Sequence, residues 1–138
     1  MINRGEASDA RAPSAAIRGD QEDAVIKSIG LLTRKAGLTH EEFVRHWFEI
    51  HAPLAHAVPG VRRYVQSHIL AERTRPDIPA TDVEIDGIAE LWYDDRAAME
   101  RANATPEAKR LHADGAMFIG RIKSFVVEEK VIIPVSPG

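Results

Sequence analysis

His51, Tyr64 and His68 are the residues whose types and spacing could carry proton transfer. His51 lies in THEEFVRHWFEIHAPLAHAVPGVRRY, residues 39–64. At about 100° per residue, Phe43, Trp47, Ile50, Leu54 and Val58 form an apolar helical stripe, and His51 falls at its margin beside Trp47 and Val58. An inward imidazole is pushed towards its neutral form, because burial penalises the cation. It can then accept a proton at one nitrogen and donate from the other. The competing role is that of a core histidine bonded to a carbonyl. In VRRYVQSHIL, residues 61–70, strand alternation places Tyr64, Gln66 and His68 on one face, with Arg63, Val65, Ser67 and Ile69 on the other. If that first face meets the helix, His51 lies above it. Trp47, Leu91 and Phe118 would then wall a mostly apolar cavity with a few convergent polar groups, the usual make-up of a small-molecule site. Core packing is the competing role for Trp47 and Phe118. The chemistry expected of such a set is general acid/base catalysis by His51, with Tyr64 or His68 hydrogen-bonding an oxygen that develops negative charge. Isomerisation, decarboxylation and dehydration next to a carbonyl all fit.

Metal and phosphate chemistry find less support. The chain has no cysteine, which removes thiolate catalysis and sulfur-bound metals. His46, His51 and His56 are five apart, so on a regular helix successive rings diverge by about 140° and share no metal. Glu90, which could have joined His51 and His68, is expected on the opposite sheet face from Leu91. A site without metal or organic cofactor is therefore expected. A net charge of −3 with no clustered basic stripe argues against nucleic acid, and no apolar run is long enough for a bilayer. Residues 1–24 read as a flexible polar arm without the apolar core of a secretory leader, which points to a cytoplasmic protein.

The elements that must position these residues follow in order. Residues 25–33 read as a strand, and Thr39 with Glu42 makes a capping box that starts the helix. Pro59-Gly60 turns the chain into the strand at 61–70. Residues 71–84 form a long exposed loop, suspected as a lid. A third strand occupies 85–94, two helices divided at Thr105-Pro106 occupy 95–118, and a fourth strand occupies 119–133, before a tail at 134–138. The domain thus spans 25–133. Its β-α-β-β-α-β order is the ferredoxin-like split βαβ fold, of the α+β class, with a four-stranded antiparallel sheet and both helices on one face. The other face, carrying Glu90, Trp92 and Glu129, is left for a second copy, giving a homodimeric α+β barrel.

HWFEIHAPLA, then VPGVRRY, DGIAELWYDD and FVVEEKVI, resemble the EthD family of dimeric α+β barrel proteins over about residues 25–133. Segments from His51 to Ile132 are similar to the family's methylmuconolactone methylisomerases, which rearrange a lactone without a cofactor. The resemblance implies active-site roles for His51 and Tyr64. It also shows two departures: no histidine in residues 71–84, and Leu91 where those enzymes carry cysteine. The resemblance implies a cofactor-free isomerase or lyase acting on a ring compound of aromatic catabolism or polyketide type. The alternative is a non-catalytic accessory that binds such a molecule.

Overall fold

The computed structural model describes residues 25–136. The arm expected at 1–24 lies outside the described residues. Strand β1 (Ile26–Arg34) leads to helix α1 (His40–Arg45). Thr39 Oγ1 accepts from the Glu42 N–H at 3.1 Å and Glu42 Oε1 accepts from the Thr39 N–H at 2.8 Å, so the capping box forms as expected. The helix continues without a break through a wide π turn (His46–His51) into α2 (Ala52–Ala55). Strands β2 (Arg63–His68) and β3 (Gly87–Tyr93), helices α3 (Arg96–Asn103) and α4 (Pro106–Phe118), and strand β4 (Ile119–Glu128) complete the domain. Thr105 caps α4, and Pro106 stands at its start, where a missing N–H costs nothing. The sheet order is β2-β3-β1-β4, antiparallel throughout, which is the ferredoxin-like arrangement.

The π turn is the feature a regular-helix reading misses. Pro53 has no N–H for the Glu49 carbonyl, and its ring crowds that carbonyl, so the preceding turn widens. The Ala52 N–H reaches back five residues to the Trp47 carbonyl. A π turn rotates less per residue than an α turn, so residues five apart, His46 and His51, come to one face. His51 is buried, whereas Ile50, expected in the apolar stripe, is 54% exposed.

Two apolar clusters sit between helices and sheet. One joins Ala55, Val58, Tyr93, Met99, Ala102, Ala108 and Leu111, with Tyr64 and Leu91 packed against it. The other joins Leu32, Phe43, Trp47 and Phe118. Burial of each large ring in the second cluster contributes roughly 2–3 kcal/mol. Gly87 admits the Trp47 indole, since a methyl there would lie 2.7 Å from Cη2 and closer still to Cζ3. The fourth strand ends at Glu128, short of the expected 133, because Glu128 faces Ile26, the first residue of β1. Val131, Ile132, Ile133 and Val135 beyond it are exposed.

Candidate active site

An open groove of about 760 Å³ runs between the first helix and β2. Its polar wall is Tyr64, Gln66 and His68, the three residues that alternation placed together. Its apolar wall is Phe48, Ala52, Ala55, Val61 and Leu70. His56, Arg62 and Arg63 also line it, and Arg62 is held by Asp94 through bonds of 2.8 and 2.7 Å. Residues 71–84 do not contribute to its lining.

The apolar wall differs from the one expected. Trp47 and Phe118 are fully buried core residues, and Leu91 packs into the first cluster. Trp47 lies in the core, and its neighbour Phe48, 63% exposed, faces the groove instead. Trp47 still supports the site from behind. Its ring stacks on His68 with centroids 5.0 Å apart, and its carbonyl receives Gln66 Nε2 at 2.9 Å. Gln66 Nε2 also approaches the Tyr64 hydroxyl oxygen at 2.9 Å, and His68 Nε2 lies 2.9 Å from Gln66 Oε1. Burial pushes the Tyr64 phenol above its ordinary value, against the opposing effect of its contacts with Gln66 and Trp47. Burial and, secondarily, the charge of His40 hold His68 below the usual histidine value, so the ring is neutral at pH 7.

His51 does not line this groove. It is 8% exposed, with Nδ1 2.8 Å from Asp114 Oδ2 and its ring edge-on to Phe118. His46 Nε2 lies 3.1 Å from both oxygens of the same carboxylate, and its ring stacks on Phe118. The expectation that His46 and His51 diverge is thus corrected: the π turn between them brings both rings to one partner on α4. Burial lowers the His51 pKa more than the Asp114 hydrogen bond and charge raise it. His51 Nε2 has no hydrogen-bond partner among the described residues.

Asp114 was missed in the sequence, although the signal was there. It stands three residues after Leu111 and four before Phe118, both buried, so it interrupts the apolar stripe of α4 as His51 interrupts that of the first helix. His40, by contrast, belongs to a structural node. With the backbone and guanidinium of Arg34, it bonds the buried carboxylate of Asp86. Among the described residues, no group of three His, Asp or Glu side chains is arranged to hold a metal ion, and no helix is long and apolar enough to cross a membrane.

The EthD domain model matches residues 35–122. The 4-carboxymethyl-4-methylbutenolide mutase of Pseudomonas reinekei is 29% identical over 108 residues, which cover 78% of this chain and 100% of the mutase. An ethyl tert-butyl ether D (EthD) family protein from Bacillus halodurans has a similar structure, with a TM-score of 0.62 and 26% identity over 77% of this chain and 99% of its own. A dimeric ferredoxin-like protein from Thermobifida fusca has a TM-score of 0.59 at 14% identity, over 77% of this chain and 92% of its own, a likeness of fold.

Proposed function

The chain belongs to the EthD domain family, and from that premise we propose that it is a cofactor-independent isomerase-type enzyme that moves a proton on a small ring compound bearing a carbonyl. The observation that carries this reading is the polar wall of the groove. The Tyr64 oxygen accepts from Gln66, which leaves the hydroxyl proton for a ligand, and the neutral His68 ring keeps one nitrogen for proton uptake. In the proposed step, His68 takes a proton from the carbon next to the carbonyl. Tyr64 donates a hydrogen bond to the resulting enolate oxygen, and His68 returns the proton to a different carbon. Positioned acid/base groups of this kind supply roughly 10² to 10⁴ in rate. The likeness to a butenolide mutase makes lactones of ring-cleavage origin the first compounds to try.

A second reading makes His51 the acid/base group. A carboxylate on Nδ1 and an Nε2 without a partner among the described residues are the arrangement of an oriented general base. Wild type, His51→Gln and His68→Gln, incubated without added metal or cofactor against muconolactones and hydroxyaromatic carboxylic acids, separate the readings by mass spectrometry. Product from wild type and His51→Gln but not His68→Gln supports the groove reading; the reverse assigns the chemistry to His51. Ligand-induced stabilisation of all three without product from any identifies a binding accessory.

The sheet face that no helix covers among the described residues supports a homodimer. Lys27, nearly buried, bonds Glu90 at 2.8 Å and Glu129 at 2.9 Å, Trp92 donates to Glu129, and Ile29, Leu31 and Phe125 share that face. A second copy of the same face covers these apolar groups and meets the charges with its own.

A further inference from the structure

We propose that Gln66 is the positioning residue of the groove, fixing which wall atoms donate and which accept, so that Tyr64 presents its proton and His68 presents Nδ1. The inference rests on the groove reading above. The Trp47 carbonyl can only accept hydrogen bonds. The end of the Gln66 amide facing it, at 2.9 Å, must be the NH₂, which fixes the amide orientation. The second NH₂ proton then goes to the Tyr64 oxygen at 2.9 Å, and Oε1 faces His68 Nε2 at 2.9 Å. An amide oxygen only accepts, so a neutral His68 carries its proton on Nε2. One side chain thereby sets the polarity of both neighbours.

The anchor of this arrangement is the π turn. The Trp47 carbonyl holds the Ala52 N–H across that turn and still receives Gln66. Stacking of His68 on Trp47 and its edge contact with Phe48, at 5.9 Å, fix the plane of the ring whose tautomer Gln66 selects.

Long-range ¹⁵N–¹H spectra of ¹⁵N-histidine-labelled protein, recorded above the His68 titration and without substrate, test the assignment. Wild type is expected to show His68 in the pure Nε2–H form, with an Nε2 proton that exchanges slowly. In Gln66→Leu the ring shifts are expected to move to the averaged values of a free histidine, with fast exchange, and the Tyr64 phenol to titrate higher, because its oxygen has lost a donor. His68 protonated on Nδ1 in wild type overturns the proposal by itself, whether or not the variant folds. Unchanged shifts and an unchanged Tyr64 titration in a folded Gln66→Leu protein reduce Gln66 to packing. Because no substrate is involved, these outcomes are independent of whether His68 turns over a ligand.

Discussion

Asp114 Oδ2 lies 2.8 Å from Nδ1 of His51, and the same carboxylate receives His46 Nε2 at 3.1 Å, so one acid on α4 ties together both ends of the π turn. A carboxylate accepts only, so the neutral His51 ring carries its proton on Nδ1, the tautomer opposite to that of His68. Asp114→Asn leaves a single amide oxygen for two imidazoles. It is expected to cost about 1–3 kcal/mol of stability, read by urea unfolding, with loss of the Nδ1–H signature of His51. No change in either measurement would remove Asp114 from the account.

Burial of His51 makes stability depend on pH. Burial depresses the His51 pKa below its ordinary 6.5, and His68 is shifted in the same direction. Between the folded values and 6.5 the unfolded chain binds more protons than the folded one, so stability rises with pH. This contribution is complete above 6.5 and is lost as pH falls through the folded values. The melting temperature is expected to drop between about pH 7.5 and pH 5.5, and to drop less in His51→Gln. An equal drop in both proteins would assign the effect elsewhere.

Gly87 and Trp47 test the support behind the groove. Any Cβ at position 87 overlaps the indole, which is fully buried and has no room to retreat. Gly87→Ala is expected to destabilise by about 1–3 kcal/mol, as overpacked cores do. Because His68 stacks on the displaced ring, its titration midpoint should shift as well. A stable variant with an unmoved His68 would contradict the contact.

What was legible in the sequence follows from how each signal arises. The order of strands and helices was readable because Thr39, Pro59-Gly60 and Thr105-Pro106 punctuate the chain through local backbone chemistry that needs no tertiary context. Tyr64, Gln66 and His68 were grouped correctly because a strand's period of two is robust over six residues. The helical wheel failed where the backbone left the α period. Pro53 was the warning, since a proline inside a helical pattern must open the ladder somewhere before it. A regular helix over residues 39–58 puts Ile50 inward and sets His46 and His51 apart, whereas Ile50 is exposed and both imidazoles meet Asp114. Asp114 is legible only as a polar interruption of the α4 stripe; which groups it serves is not, because its partners are 63 and 68 residues away and only the packing of α4 on the first helix brings them together.

Lys27 is the residue on which self-association can be tested without touching the groove. Its ammonium lies between Glu90 and Glu129 on the sheet face opposite the helices, and within 5.0 Å of the Trp92 ring centroid. Replacing it with glutamate gathers three carboxylates where one cation joined two, and a second copy would bring three more to the same two-fold interface. Like charges brought together in this way cost several kcal/mol at an interface, far more than on an exposed surface. Wild type is expected to run at twice the 15.3 kDa chain mass in light scattering, and Lys27→Glu at the chain mass, with β-sheet circular dichroism retained. A wild type that is monomeric at micromolar concentration would refute the homodimer. A Lys27→Glu protein that stays dimeric would move the interface to another surface, with the exposed apolar run from Val131 to Val135 the next to truncate.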